Sequence, residues 1–242
     1  MNGVGVIFWR EMRGYFTSPY AYLIAAAFLL LAGFFFVSNL WLSVEQTPAD
    51  PAAIPEFLSF GMIFFAPLLT MRMLAEETRE GTMELLLTAP VSDSAIIIGK
   101  FLSAWGFYTI LLGITASYQI ILVNIGAFPD LGKAVAAYIG IWLYGGACLS
   151  VGLVYSALTD SQIVAGFLSM ATLFLLYLGD NIGLIVADVE LARLLRTLTL
   201  QGHFSTSFAV GIFRAEDVVF FAGLITAMLF IAIRIVESRR WR

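Results

Sequence analysis

Four glutamates stand close together in a short polar stretch between two long apolar runs. They are Glu76, Glu77, Glu80 and Glu84. Three of them follow one another at a spacing of i, i+4, at which like charges weaken an isolated helix. We therefore expect basic groups to pair with these carboxylates.

The usual catalytic sites cannot be assembled from this sequence. The only histidine, His203, excludes a His-rich metal site, and we interpret it as a turn or interface residue. The only cysteine, Cys148, has no histidine in its apolar run to activate it and no partner for an intrachain disulfide. Gly99 and Lys100 approach a phosphate-binding loop, but the residues around them do not fit its pattern. The sequence therefore predicts a chain that is not an enzyme and holds no metal or cofactor.

The composition predicts an integral membrane protein. Of the 242 residues, 60% are hydrophobic and 12% are charged, against roughly a quarter charged in soluble domains. A charge in mid-bilayer costs about 2.5–3.5 kcal/mol, so charge-free windows of nearly 20 residues mark the spans. Two windows are short unless flanking charges such as Glu56, Arg72 and Arg234 reach the membrane surface. The net charge of −4, without a basic block, excludes nucleic acid as a partner.

We predict one all-α membrane domain over residues 1–242 with six transmembrane helices. The spans are placed at about 20–42, 56–74, 98–125, 133–157, 161–179 and 217–236. Lysines and arginines near the span ends favour one orientation by nine to four, which places both termini in the cytoplasm. The nine are Arg10, Arg13, Arg72, Arg79, Lys100, Arg234, Arg239, Arg240 and Arg242, and the four are Lys133, Arg193, Arg196 and Arg214.

Three further segments have a recognisable pattern. Residues 3–17 repeat apolar side chains at helical spacing, which predicts an interfacial elbow helix or a cytoplasmic extension of the first span. Residues 180–205 predict a re-entrant or interfacial hairpin with a turn at Asp180 and Asn181, or an ordinary outer loop. A stripe of small residues in the fourth span favours close helix packing over a substrate path. The stripe consists of Gly140, Gly145, Gly146, Ser150, Gly152 and Ser156.

The loop at 75–94, between the second and third spans, has an acidic stem and an apolar tip. Gly81 interrupts its helical pattern, and Pro90 ends the short helix that follows. The apolar tip consists of Leu85, Leu86 and Leu87. Ser92 or Asp93 can cap the helix that follows. This composition predicts either a docking element for a soluble partner or a solvated loop with an interfacial helix.

The run from Thr70 to Lys100 resembles the signature of ABC transporter type-2 permeases, the membrane subunits of one class of ABC exporter. It reads EETREGTMELLLTAPVS and then IIIGKF. Three other segments are similar to one subgroup, the gliding-motility-type permeases, which are grouped with permeases of multi-copper-enzyme maturation systems. These segments are 10–22, 200–208 and 237–241.

The resemblance implies an export subunit in the cell (inner) membrane that works as a dimer of permease chains, identical or different, over two ATPase subunits that bind ATP and Mg. It also implies a coupling helix in the loop at 75–94. The coupling residues it implies are Glu77, Arg79, Glu80, Gly81, Thr82, Glu84, Leu85, Leu86 and Pro90. The apolar spans suit a lipid, a peptide or a polysaccharide anchor as cargo.

Two other functions stay open on the sequence. One is a non-transporting membrane anchor or assembly subunit of a motility or secretion machine. The other is a channel or secondary carrier that works without nucleotide, against which the lack of charged residues within the spans counts.

Overall fold

The computed structural model describes residues 3–45, 50–83, 91–124, 129–185, 190 and 199–239, and within them the chain is helical without strands. This confirms the predicted all-α fold class. The helices are α1 (Gly3–Thr17), α2 (Pro19–Glu45), α3 (Ala53–Thr70), α4 (Ala75–Arg79), α5 (Asp93–Asn124), α6 (Leu131–Leu158), α7 (Gln162–Ile185), α8 (Leu200–Ser205) and α9 (Ala215–Arg239). A turn of 3-10 helix, Phe208–Val210, lies between α8 and α9.

Six of these helices are long and apolar enough to cross a bilayer, as the sequence predicted. They are α2, α3, α5, α6, α7 and α9. The two windows that were short in the sequence lie in helices of 18 and 25 residues, which include the flanking charges Glu56 and Arg234. A helix satisfies its own backbone hydrogen bonds, which is why the apolar runs fold in this form within lipid.

Helix α6 lies at the centre of the bundle, where it packs against α3, α5, α7 and α9. Every residue from Leu143 to Val154 is buried. A Cβ atom on Gly145 would lie 2.3 Å from the ring of Tyr108, and one on Gly152 would lie 2.1 Å from the hydroxyl oxygen of Thr70. The small residues of α6 therefore allow neighbouring helices to approach closely, which confirms the packing role over the substrate path.

Helix α1 lies along the first half of α5, and two glycines of α5 make this possible. A Cβ atom on Gly99 would lie 2.7 Å from the Cβ of Ile7, and one on Gly106 would lie 2.7 Å from the terminal methyl of Met12. The two glycines are seven residues apart, so they occupy the same face of α5 after about two turns. This contact fixes the position of the charged residues of α1 relative to α5.

The segment before the last span differs from the prediction at one point. Helix α7 continues through Asp180 and Asn181 to Ile185, where the sequence predicted a turn. The chain has no proline there, and Gly179 is tolerated within the helix because its neighbours continue the hydrogen-bond ladder. Of the remaining hairpin residues, 186–189 and 191–198 lie outside the described part of the chain.

The tight contact of α6 with α5 gives a testable expectation for stability. Gly145→Ala places a methyl group against the buried Tyr108 ring, whose hydroxyl donates a hydrogen bond to the carbonyl of Ile141. Overpacking of this kind costs about 1–3 kcal/mol, so we expect a lower thermal unfolding temperature in detergent.

The matched control is Gly223→Ala in α9, since a Cβ atom on Gly223 meets nothing within 4 Å. We expect its unfolding temperature to equal or exceed that of the native chain, because alanine favours helix over glycine. Equal stability of the two variants would contradict the packing role of Gly145.

Candidate functional site

A buried lysine joins three separate elements at one end of the bundle. The side chain of Lys100 in α5 is 2% exposed, and its Nζ lies 2.9 Å from Oε1 of Glu77 and 3.2 Å from Oε1 of Glu11. Glu77 belongs to α4 and Glu11 to α1. Removing a charged ammonium from water costs several kcal/mol unless it is paired, so both carboxylates are needed to hold it there.

Local sequence explains how the three charges meet. Ser92 caps α5 by accepting a hydrogen bond from the backbone N–H of Ala95 at 3.3 Å, so α5 begins at Asp93 and carries Lys100 about two turns inward. The packing of α1 on Gly99 brings Glu11 to the same level. We call Arg10, Glu11, Glu77 and Lys100 the ionic cluster.

The ionic cluster favours the charged form of Glu11. Burial opposes ionisation of Glu11, but the positive charges of Lys100 and Arg10 outweigh it, and the pKa of Glu11 lies below its ordinary value. Arg10 also donates to Oε1 of Glu77 at 3.4 Å. The other carboxylate oxygen of Glu77, Oε2, is buried and has no hydrogen-bond partner among the described residues. One oxygen of Glu77 therefore contacts both cations, and the other accepts no hydrogen bond from the described residues.

The turn between α3 and α4 is held by the central helix. The hydroxyl of Ser156 in α6 accepts hydrogen bonds from the backbone N–H groups of Leu74 and Ala75, at 3.0 and 3.2 Å. The same hydroxyl donates to the carbonyl of Met71 at 3.3 Å. Ser156 belongs to the small-residue stripe, so it both permits close approach and anchors the start of α4.

Two arginines tie this region to further helices. Arg239 of α9 donates to the hydroxyl of Thr78 at 3.3 Å and pairs with Asp160 at 2.9 Å. Arg72 lies over the ring of Tyr20 in α2 and donates from Nε to the side-chain oxygen of Gln162 in α7 at 3.2 Å. Helix α4 and the turn before it thus contact every spanning helix of the bundle, α2 through the ring of Tyr20 and the others through hydrogen bonds or ion pairs.

The far end of α4 faces outward. Arg79, Glu80, Gly81 and Thr82 are exposed, and Gly81 adopts a positive φ of 72° that suits glycine. The next residue, Met83, is 6% exposed and packs into the core. We call residues 79–82 the exposed tip. It comprises the last residue of α4 and the turn that follows, and a soluble protein can reach it.

The structure separates the implied coupling residues into two groups. Glu77 faces inward, in the ionic cluster, whereas Arg79, Glu80, Gly81 and Thr82 form the exposed tip. The residues Glu84, Leu85, Leu86 and Pro90 lie outside the described part of the chain. The basic partners expected for the glutamates are present in this chain for Glu76 and Glu77, as Arg72, Arg10 and Lys100.

The sequence alone did not indicate that Glu11, Lys100 and Ser156 hold α4 and its neighbouring turn in place. A signal for Lys100 was present, because it is the only charge in an apolar run from Ala95 to Ile114 and a lone charge there needs a partner. Which carboxylates it meets depends on helix packing across 89 and 23 residues of sequence. No local pattern encodes those distances.

His203 and Cys148 are each enclosed by packing or hydrogen-bonding contacts within the protein. His203 stacks on Phe220 with ring centroids 3.8 Å apart, and its Nδ1 lies 2.6 Å from Oδ1 of the buried Asp217. Cys148 is buried in α6. Within the described part of the chain, no group of three or more His, Cys, Asp or Glu side chains is arranged to hold a metal ion.

Comparison with known proteins agrees with this architecture. The family model described as ABC-2 family transporter protein matches residues 6–197, which include most of α1, the exposed tip and the ionic cluster. This chain belongs to that family. A search of the curated proteins found no match. As a member of the family, the chain is a multi-pass membrane protein with a permease role, and the family implies partnership with an ABC ATPase subunit.

The lowered pKa of Glu11 predicts how this permease responds to acid. A carboxyl whose pKa is depressed on folding stabilises the folded state above its unfolded pKa, and this stabilisation is lost as the pH falls. We expect Glu11→Gln to be less stable than the native chain at neutral pH, with a difference that narrows below pH 4.5, the ordinary pKa of the carboxyl.

Thermal unfolding in detergent at several pH values checks this expectation. Glu216→Gln is the control, since the Glu216 side chain is 72% exposed and lies at the start of α9, outside the ionic cluster. A stability difference for Glu11→Gln that is constant with pH would contradict the electrostatic role of Glu11.

Proposed function

We propose that this chain is the membrane subunit of an ATP-driven exporter and forms the translocation pathway with a second permease chain. ATP and Mg bind to separate ATPase subunits, and the chain itself catalyses no reaction. The cytoplasmic ends of the helices are those that carry the ionic cluster and the exposed tip, with both termini on the same side. The membrane is the cell (inner) membrane.

The distribution of basic residues supports this orientation. Arg10, Arg72, Lys100 and Arg239 meet around α4 at one end of the bundle. At the other end, Lys133 pairs with Asp50 at 2.9 Å. Positive charge is enriched on the cytoplasmic side of membrane proteins.

The observation that carries the proposal is that the bonded helix α4 leads directly into the exposed tip. A force applied by the ATPase at residues 79–82 acts on Glu77, which is joined through Lys100 to α5 and through Glu11 to α1. A cavity of about 390 Å³ lies between α1, α2 and α4 and leaves room for α4 to move. Movement of the tip is therefore transmitted to the helices that line the pathway.

The finer resemblance supports a place in the gliding-motility-type and multi-copper-enzyme-maturation subgroup. It rests on segments 10–22, 200–208 and 237–241. The first contributes Glu11 to the ionic cluster, and the second contains His203, which packs against α9.

Docking through the loop at 75–94 is tested with Glu80→Lys and Leu86→Ala in a complex of the permease and its copurified ATPase. Glu80 is exposed in the tip, so the reversed charge repels a basic surface on the ATPase. We expect loss of assembly, measured by size-exclusion chromatography. Unchanged assembly and unchanged substrate-stimulated ATP hydrolysis in both variants would contradict the docking assignment.

Transmission through the ionic cluster is tested separately with Glu77→Gln. The amide keeps the size of the side chain but removes the charge that Lys100 and Arg10 meet. We expect normal assembly with the ATPase and a fall of about fivefold or more in the stimulation of ATP hydrolysis by the permease, within the usual range of coupling energies.

Glu216→Gln is again the matched control, and we expect its stimulation to equal that of the native complex. If Glu77→Gln assembles and stimulates ATP hydrolysis like the native chain, the ionic cluster does not transmit the movement. If it fails to assemble, Glu77 contributes to docking rather than to transmission.

A further inference from the structure

A groove between α5 and α6 lies at the end of the bundle opposite the ionic cluster. It has a volume of about 500 Å³, within the range of roughly 300–1,000 Å³ that is typical of ligand sites. Its walls run from Thr109 to Gln119 on α5 and from Leu131 to Trp142 on α6. Both helices are membrane-spanning, so the open side of the groove faces hydrocarbon.

The accessible surface of the groove is almost entirely apolar. The indole N–H of Trp142 donates to the hydroxyl of Thr109 at 2.9 Å, and the hydroxyl of Tyr138 donates to the carbonyl of Thr115 at 2.9 Å. The side-chain amide of Gln119 donates to the carbonyl of Pro51 at 2.9 Å, while its Oε1 is buried and has no hydrogen-bond partner among the described residues. The polar donors of the lining are thus used within the protein.

The length of the groove matches one leaflet of the bilayer. Ten residues of α5 separate Thr109 from Gln119, which is about 15 Å at 1.5 Å per residue. This is half of a hydrocarbon core of about 30 Å. The outer end of the groove lies beside the start of α6, where Asp130 caps the helix and Lys133 pairs with Asp50. Charged groups at this end and apolar groups inward place the groove in one leaflet.

A hydrocarbon chain suits the surface that the groove offers. The lining is almost entirely apolar, and dispersion contacts with carbon atoms at about 3.5–4.0 Å are the interaction that such a lining makes. Lipid tails are the apolar groups that surround spanning helices.

Small residues make the floor of the groove. Gly113 and Ala116 of α5 and Ala134 of α6 line it. A Cβ atom on Gly113 would meet nothing within 4 Å, so the space above this glycine is open. Gly113 therefore performs no packing role within the chain, unlike Gly145.

We propose that this groove binds one acyl chain of a membrane lipid, from the leaflet at which α5 ends and α6 begins. The lipid chain fills the outer half of the α5–α6 contact, where the helices are joined on one side by the stacked rings of Trp105 and Trp142. In the orientation given above this is the outer leaflet. The inference depends on membrane insertion of the chain and is independent of its export function.

The test uses Gly113→Leu, which fills the groove with a side chain that meets no atom of the native chain at its Cβ. Gly223→Leu in α9 is the matched control, because its Cβ is equally unhindered. Native mass spectrometry is performed after detergent washes that remove bulk lipid. We expect one retained lipid on the native chain and on Gly223→Leu, and its loss from Gly113→Leu.

A second measurement uses the tryptophan fluorescence of the washed chain, titrated with phosphatidylcholine whose acyl chains carry bromine. Because Trp142 lines the groove, we expect saturable quenching in the native chain that Gly113→Leu and Trp142→Phe both remove. Equal lipid retention or equal quenching in Gly113→Leu and the native chain would overturn the proposal. A change from dimer to monomer in Gly113→Leu, with the lipid retained, would also overturn the proposal. It would show that a second copy of the chain occupies the groove.

Discussion

The position of Lys100 imposes the constraint on which this end of the structure depends. An ammonium at the edge of a membrane, with a side chain 2% exposed, is stable only with carboxylates at hydrogen-bond distance. Those carboxylates come from α1 and α4, so neither element can move away from α5 without exposing or unpairing the charge. One cation thus joins the N-terminal helix, the third span and the loop between the second and third spans.

The centre of the bundle has a different basis, because α6 carries no charged side chain from Ala134 to Leu158 and is stabilised by close contact. Without water to drive apolar burial, helices in lipid associate through packing, which small residues make possible. Ser156 contributes to both kinds of contact. It is small enough for close helix approach, and its hydroxyl forms hydrogen bonds with three backbone groups of residues 71–75. Rigid packing inside and hydrogen bonding at the end meet at this residue.

Much of the fold could be predicted from the sequence because charge-free windows measure the bilayer directly. The six spans follow from that physical rule, and the small residues of α6 indicate packing without knowledge of the neighbours. The continuation of α7 through Asp180 and Asn181 could not be predicted, because polar residues at the end of a span are compatible with either a turn or a continued helix.

Only part of the candidate site could be predicted from the sequence. The acidic loop is visible as a local pattern, and Gly81 marks the point near which its helix ends. The partners of Glu77 are not visible in the sequence, because Lys100 and Arg10 reach it only after α1 and α5 have packed together. Pairing across a folded bundle is a tertiary property, and no spacing within the loop contains it.

The order of the ionic cluster along the chain has a consequence for how the protein is made. Glu11 and Glu77 both precede Lys100, and chains fold from the N-terminus during synthesis. Lys100 is therefore the last of these three charges to be synthesised. Both of its carboxylate partners leave the ribosome before it does, so the ion pairs form only once α5 has packed against α1 and α4.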